Sequence, residues 1–157
     1  VVELAYPSYK SKDKLDDWYI LILLHYLDLA DGTPLYHQAV HFGELKDGLI
    51  RGSRFDKTVE REFASFLSDK KDEDIINLCK SLGGEIIKSK FDLSVVFYLF
   101  PNYPVTLNIW FADDEFGAVG SMLVDKSADN YLTIEDDVVA GEFMLRYIFE
   151  RYNELYM

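Results

Sequence analysis

Apolar side chains recur every three or four residues in four segments of the chain, and this spacing predicts four α-helices. The predicted helices cover residues 13–30, 55–67 and 73–82, and a long final helix starts at Thr133. The first is apolar on nearly all sides, which is typical of a buried helix at the centre of a fold. Asp13 and Asp72 are the predicted N-caps of the first and third helices. Thr133 and Asp136 have the spacing of an imperfect capping box on the fourth.

Extended segments account for much of the remaining chain. The predicted strands cover residues 1–6, 85–88, 93–100, 105–111 and 121–124. Pro101 and Pro104 mark a short connection between two of them. Residues 33–54, which include Pro34 and three glycines, are expected to be irregular with one short extended piece. The segregation of helices and strands predicts a single α+β domain over residues 1–157, an antiparallel sheet packed by about four helices.

The composition supports a folded chain and excludes several classes of partner. Of 157 residues, 49% are hydrophobic and 15% aromatic, so a substantial core can be buried. There are 28 acidic and 16 basic side chains, and the formal net charge is −12. Residues 105–157 carry 11 of the acids and only three bases. A surface of this sign repels phosphate backbones and anionic lipid, so we expect neither nucleic-acid nor membrane binding.

Three further features bear on location. Residues 18–27 form the most apolar stretch, but a helix of that length spans only about half a bilayer. The single cysteine, Cys79, excludes an internal disulfide, and the amino end shows no export signal. A reducing cytoplasm is therefore the expected location. The chain begins at Val1 and not at methionine, which leaves open that it is a piece of a longer product.

An ordered series of short motifs runs through the chain: Leu24-His25-Tyr26-Leu27, His41-Phe42-Gly43-Glu44-Leu45, Leu82-Gly83-Gly84, Pro101-x-x-Pro104, Trp110 followed by Asp114-Glu115-Phe116, Leu123-Val124-Asp125, and Leu132 with Glu135-Asp136. The series resembles an uncharacterised prokaryotic family classed as a domain of unknown function. The resemblance covers residues 18–150 and implies a context of anaerobes with corrinoid and one-carbon metabolism. It also implies that longer members follow a four-cysteine iron–sulfur segment. This chain lacks that segment, and Leu49-Ile50-Arg51 lacks an expected tyrosine.

The acidic run Asp113-Asp114-Glu115 directly follows a predicted strand that ends in aromatic residues. Neighbouring carboxylates repel one another unless they are solvated, protonated or bridged by a cation. Together with Asp125, the run is a candidate site for a divalent cation such as Mg²⁺ or Ca²⁺. The alternative is a solvated turn anchored by Phe116.

Residues 125–136 also match part of the twelve-residue calcium loop, with Asp125, Ser127 and Asp129 at its first three ligand positions. Asp136 would take the last position. Three mismatches oppose this interpretation: Asn130 replaces the turn glycine, Asp136 is shorter than the usual glutamate, and a strand precedes the loop instead of a helix. The alternative is an Asp-rich turn that leads into an N-capped helix.

The histidines and Cys79 are the remaining candidates for chemistry. His25 lies in the apolar first helix, where it is either a cofactor ligand, an acid–base residue or a hydrogen-bonded core residue. His37 and His41 are four residues apart, but Pro34 makes a helix at this point doubtful. Cys79 lies among apolar residues, where a thiol stays protonated and inert.

These observations lead to one preferred function and two alternatives. The preferred function is an accessory domain that binds a small molecule or a corrinoid-like cofactor in an aromatic-lined pocket. The expected ligand-binding residues are His25, Tyr26, Trp110, Asp114 and Glu115. The first alternative is an enzyme in which a divalent cation near Asp114 activates water. The second is an interaction module whose acidic carboxyl-terminal third binds a basic protein partner.

Overall fold

The fold is described from a computed structural model that covers residues 2–5, 8–11 and 16–157, with side chains from residue 16 onward. The fold class is α+β, as predicted, and it combines helices with antiparallel strands. No helix in these residues has both the length and the apolarity needed to cross a membrane. The hydrophobic core of this part of the chain is one continuous cluster.

The amino-terminal strands β1 (Val2–Ala5) and β2 (Ser8–Ser11) form an antiparallel hairpin. The first strand confirms the prediction for residues 1–6, except that Val1 and Tyr6 lie outside the described residues. The second strand was not predicted, because its sequence Ser-Tyr-Lys-Ser has no apolar run of the kind that marks a strand.

Five further strands form one antiparallel sheet in the order β3-β7-β6-β5-β4. These strands are β3 (Ala39–Val40), β4 (Glu85–Ile86), β5 (Leu93–Phe100), β6 (Tyr103–Trp110) and β7 (Val119–Asp125). The two edge strands are only two residues long, which limits the exposed backbone available for pairing with another chain. The predicted strands are confirmed with small shifts of their ends.

The strand β6 begins two residues earlier than predicted and includes Pro104, which pairs with Tyr98 of β5. Pairing with β7 starts one residue later, at Val105. Proline therefore lies where only one neighbouring strand is present, which is the position in a sheet that tolerates a missing N–H group.

Two long helices pack on the sheet and on each other. α2 (Gly48–Leu67) packs on β7, and a Cβ atom at Gly120 would lie 2.5 Å from the Phe63 ring. α4 (Ile134–Tyr156) packs on α2, where a Cβ atom at Gly141 would lie 2.5 Å from the Phe55 ring. Because both contacts exclude a side chain, glycine lets each layer approach the next closely.

The prediction for residues 33–54 is wrong over its last seven residues, because α2 starts at Gly48 instead of residue 55. Gly48 and Gly52 both face the carbonyl oxygen of Phe42. A Cβ atom added to either glycine would lie 2.2 Å from that oxygen. These glycines are therefore required by close packing inside a helix. The sequence pattern instead suggested a turn, which is the more common role of clustered glycines.

The helices α1 (Asp17–Leu29) and α3 (Asp72–Ser81) differ from prediction at their caps. Asp16 caps α1, where its side chain accepts a 2.9 Å hydrogen bond from the backbone N of Trp18. The predicted cap, Asp13, lies outside the described residues. The N-cap of α3 is Lys71, and Asp72 is already the first helical residue. A carboxylate in that first turn still interacts favourably with the helix dipole.

The prediction that the first helix is buried at the centre of the fold is wrong. Only Ile22 and Tyr26 of α1 are buried. The exposed large apolar side chains of this helix are Trp18, Leu21, Leu24, Leu27 and Leu29. The helix lies at the surface and packs on α4. An apolar patch of this kind is typical of a binding surface.

Candidate functional site

A histidine–carboxylate pair joins the first and last helices. Nδ1 of His25 on α1 lies 2.8 Å from Oδ1 of Asp136 on α4. The two side chains are 43% and 12% exposed, respectively. A carboxylate only accepts hydrogen bonds, so Nδ1 donates and the lone pair of the neutral ring is on Nε2. No residue from 16 to 157 forms a hydrogen bond with Nε2. The ring is therefore held in one orientation with its second nitrogen available to a ligand.

The start of α4 holds Asp136 in place. Thr133 is the N-cap, and with Asp136 it forms the predicted capping box, which the structure confirms. Oδ2 of Asp136 accepts a 2.8 Å hydrogen bond from the Thr133 hydroxyl, while Oδ1 faces His25. Because the N-cap hydroxyl holds one carboxylate oxygen of Asp136, the other oxygen is fixed in position to accept the hydrogen bond from His25.

A second acid, Asp137, is completely buried directly after Asp136. Its Oδ1 accepts a hydrogen bond from the hydroxyl of Tyr103, which is also buried. Burial raises the pKa of Asp137 to about 8; the Tyr103 hydrogen bond opposes this rise, and the nearby Asp129 and Asp136 add to it. Burial beside the same carboxyl raises the pKa of Tyr103 well above its ordinary value. Asp137 is thus a neutral carboxylic acid at pH 7.

Two buried polar atoms near the amino-terminal end of α4 have no hydrogen-bond partner among the described residues. They are Oδ2 of Asp137 and Oγ of Ser127. Buried polar groups are generally hydrogen-bonded, and internal water often supplies the partner. When Asp137 is protonated, its proton can lie on Oδ2, and Oδ1 still accepts the hydrogen bond from Tyr103.

Aromatic rings pack beside the histidine–carboxylate pair. The Tyr26 ring stacks on Phe100 with centroids 4.3 Å apart and on Tyr131 with centroids 5.5 Å apart. The Tyr26 hydroxyl accepts a 3.3 Å hydrogen bond from the backbone N of Asn102. Tyr26 is therefore a core residue that holds α1 against the turn between β5 and β6, and its neighbour His25 is positioned by that contact.

A shallow groove of about 260 Å³ runs between α1 and α4, lined by Trp18, Val139, Glu142, Phe143 and Arg146. The helices are antiparallel, because the His25–Asp136 contact lies at one end and an Asp16–Arg146 ion pair of 3.9 Å at the other. Trp18 is seven residues before His25, so both lie on one face of α1. The histidine thus lies at the end of a largely apolar strip.

The structure separates the five predicted ligand-binding residues into two groups. His25 and Tyr26 lie near Phe100, at the turn where β6 starts. Trp110 is the last residue of β6, about 23 Å along the strand from Tyr103. Asp114 and Glu115 follow it, and both are exposed. The two groups do not form one pocket, and a binding role for each stays a prediction.

The acidic run at residues 113–115 has the geometry of a solvated turn. The side chain of Asp113 accepts hydrogen bonds of 2.8 and 2.7 Å from the backbone N atoms of Glu115 and Phe116. These bonds hold the pKa of the Asp113 carboxyl below its ordinary value. Phe116 is 71% exposed, so the expectation that it anchors the turn in the core is wrong.

The fourth predicted metal ligand, Asp125, is far from the other three. It ends β7 at the edge of the sheet where β6 begins, whereas residues 113–115 follow the other end of β6. Burial raises the pKa of Asp125, but hydrogen bonds from Ser127, Tyr36 and Gln38 outweigh that effect and lower it overall. Across residues 16–157, no three His, Cys, Asp or Glu side chains are grouped so as to hold a metal ion.

The segment that matches part of a calcium loop does not have that structure. Asp125 caps a short 3-10 helix at Lys126–Asn130, and a capped α-helix follows. Two of the side chains expected to bind calcium instead form hydrogen bonds within the protein. Asp129 accepts a 2.9 Å hydrogen bond from the backbone N of Lys46, and Asp136 is hydrogen-bonded to His25. The alternative of an Asp-rich turn before an N-capped helix is confirmed.

The other residues considered for chemistry are placed apart from one another. His37 has a positive φ of 55° and is not helical, which agrees with the doubt raised by Pro34. His41 lies 3.8 Å from Asp56, whose carboxylate also accepts hydrogen bonds from the backbone N atoms of Phe42 and Gly43. Burial raises the pKa of the Cys79 thiol to about 11, which agrees with an inert thiol.

Sequence reasoning did not identify Asp137 and Tyr103 as site residues. One signal was available for Asp137, which lies three residues after Ile134 and four before Gly141. It therefore falls on the apolar face of the predicted helix, where a carboxyl group needs a partner. No comparable signal marks Tyr103, because its partner lies 34 residues away.

The chain belongs to a family described as a domain of unknown function (DUF3786), which it matches over residues 3–147. Neither a curated protein nor a solved structure matches it.

Proposed function

We propose that the domain binds a flat, apolar, metal-centred cofactor of the corrinoid or tetrapyrrole class at α1, with His25 as the protein's ligand to the metal. The observation that carries the proposal is the 2.8 Å hydrogen bond between His25 and Asp136. Metal-ligating histidines almost always donate their second ring N–H to a carboxylate, a carbonyl or water, which fixes the tautomer and strengthens the donor nitrogen.

The surroundings of His25 suit a large apolar ligand. On α1, Leu21 and Leu29 lie four residues before and after His25, and both side chains are exposed. Trp18, 60% exposed, continues the same face toward the groove. A flat ring system placed over His25 would cover these side chains and remove apolar area from water.

The groove itself limits the size of what it can hold. Its volume of about 260 Å³ is smaller than the roughly 300–1,000 Å³ of typical ligand pockets. It would accommodate one edge or side group of a macrocycle, with the rest lying on the surface of α1. Binding is therefore expected to be open to solvent on one side.

The test is titration of the purified protein with aquacobalamin and with haemin, followed by absorbance. We expect a spectral change characteristic of nitrogen coordination that is lost in His25→Ala. In Asp136→Asn the affinity should fall about 10- to 100-fold, because the histidine loses its orienting carboxylate. His41→Ala is the matched control, since His41 is also partly exposed and near an aspartate, and it should bind normally. Absence of any spectral change with either cofactor would reject the proposal.

A further inference from the structure

We propose that Asp137 is a proton-binding residue that sets the donor strength of His25 through Asp136. Gain or loss of one proton at Asp137 would change how strongly His25 holds a metal-centred ligand. The inference rests on the proposed function of His25, and it assigns a positioning and tuning role to a residue that does not touch the ligand.

A buried carboxyl group follows the histidine's partner directly in the chain. Asp137 is joined by a peptide bond to Asp136, whose Oδ1 holds Nδ1 of His25 at 2.8 Å. Asp137 is fully buried, with Oδ1 on the Tyr103 hydroxyl and no partner for Oδ2 in residues 16–157. The carboxyl can therefore take up or release a proton at Oδ2 without breaking its bond to Tyr103.

The titratable groups around Asp137 come from each element packed around it. Tyr103 faces it from β6, Asp129 from the 3-10 helix before α4, and Asp136 from α4 itself. His25 approaches from α1 through Asp136. The acids disfavour a second charge, whereas the amino-terminal end of α4 favours one. Burial, opposed by the Tyr103 hydrogen bond and reinforced by Asp129 and Asp136, raises the pKa of Asp137 to about 8. At that value a small change in pH near neutrality alters its protonation.

The direction of the effect follows from electrostatics. Below pH 8 Asp137 is neutral, and above pH 8 it adds a negative charge beside the Asp136–His25 pair. A buried charge is poorly screened by salt, so ionised Asp137 acts on the neighbouring Asp136–His25 pair. A more negative environment strengthens the electron donation of Nε2 to a metal cation. Affinity for such a ligand should therefore rise about tenfold as Asp137 ionises.

The first test needs no ligand. NMR of the side-chain carboxyl carbons should show one aspartate that titrates near pH 8 and is missing in Asp137→Asn. The His25 ring resonances should shift over the same pH range in the unchanged protein and not in Asp137→Asn. Asp113→Asn, which removes an exposed acid at the other end of the sheet, should leave both signals unchanged.

A second variant guards against failure of Asp137→Asn to fold. Tyr103→Phe removes the hydrogen bond that lowers the pKa of Asp137. The titration of the Asp137 carboxyl carbon and the shift of the His25 ring resonances should therefore both move to higher pH. An Asp137 carboxyl that titrates near pH 4, or a His25 ring that does not respond to it, would overturn the inference.

The ligand test separates this inference from the proposed function. Haemin affinity should be about tenfold higher at pH 9 than at pH 7 in the unchanged protein, and at most twofold higher in Asp137→Asn. Equal pH dependence in both proteins, with binding that requires His25, would overturn the role of Asp137 and leave the proposed function intact. No binding by the unchanged protein would reject both.

Discussion

The two ends of strand β6 both lie next to acidic residues, but only one end has the environment of a site. At the amino-terminal end, Tyr103 binds the buried Asp137, and the adjacent Asp136 binds His25. At the carboxyl-terminal end, Trp110 is 41% exposed, and the acids at 113–115 lie in water. A run of acidic residues in the sequence is therefore a weak indicator of a functional site. Burial and a defined partner are what change the chemistry of a carboxyl group.

The largest expected difference between the two ends is the pH dependence of stability. Folded Asp137 keeps its proton up to about pH 8, whereas in the unfolded chain it ionises near its ordinary value of 3.8. Between these values the unfolded state binds fewer protons, so stability should fall as pH rises from 4 to 8, by up to about 5 kcal/mol. Asp137→Asn should abolish this slope in denaturant unfolding measured at several pH values.

The matched change at the other end is Asp113→Asn. The pKa of Asp113 is lowered, so this carboxylate is already charged in both folded and unfolded chains above about pH 5. The variant should therefore keep the decline of stability between pH 5 and 8. If Asp137→Asn keeps the same decline, the buried end does not differ from the exposed end as described.

A smaller effect is expected from the hydroxyl that partners Asp137. Tyr103→Phe leaves the buried carboxyl without its donor, which should lower the free energy of unfolding by about 1–3 kcal/mol at pH 7. Tyr98→Phe removes a hydroxyl from a side chain that is 57% exposed and should change the free energy of unfolding by less than about 0.5 kcal/mol. Equal losses in urea titrations would show that the Tyr103–Asp137 bond contributes little.

The smallest expected difference concerns the caps. Thr133→Ala removes the hydroxyl that bonds Asp136 and should destabilise the protein by about 1 kcal/mol. Asp113→Ala removes the side chain that organises the exposed turn and should destabilise the protein less than Thr133→Ala does. Thermal unfolding of the two variants gives the comparison, and a larger loss from Asp113→Ala would contradict it.

Much of the secondary structure could be predicted because its signals are local. The strand Leu93–Phe100 was predicted with its observed ends, and the Thr133–Asp136 capping box needs only four consecutive residues. The start of α2 was missed because Gly48 and Gly52 meet the Phe42 carbonyl, a contact with no local signal. The exposure of α1 was missed because a helix that is apolar on all sides gives no sign of which face packs against the core and which faces solvent.

The candidate site could be predicted only in part, and for a similar reason. His25 was recognised as a polar residue in an apolar helix, but its partner Asp136 lies 111 residues away. Trp110, Asp114 and Glu115 were grouped with it because aromatic and acidic residues adjoin in the sequence. The antiparallel hairpin instead places them at the other end of β6.

The sequence by itself determined the α+β class, the position of most helices and strands, and the residues that begin the last helix, because periodicity and capping act over a few residues. Only the tertiary structure decided which of the 28 acids are removed from water and which lie beside a histidine. The properties of a carboxyl group depend on the solvent and charges that surround it, and here these come from β6, α1 and the turn before α4.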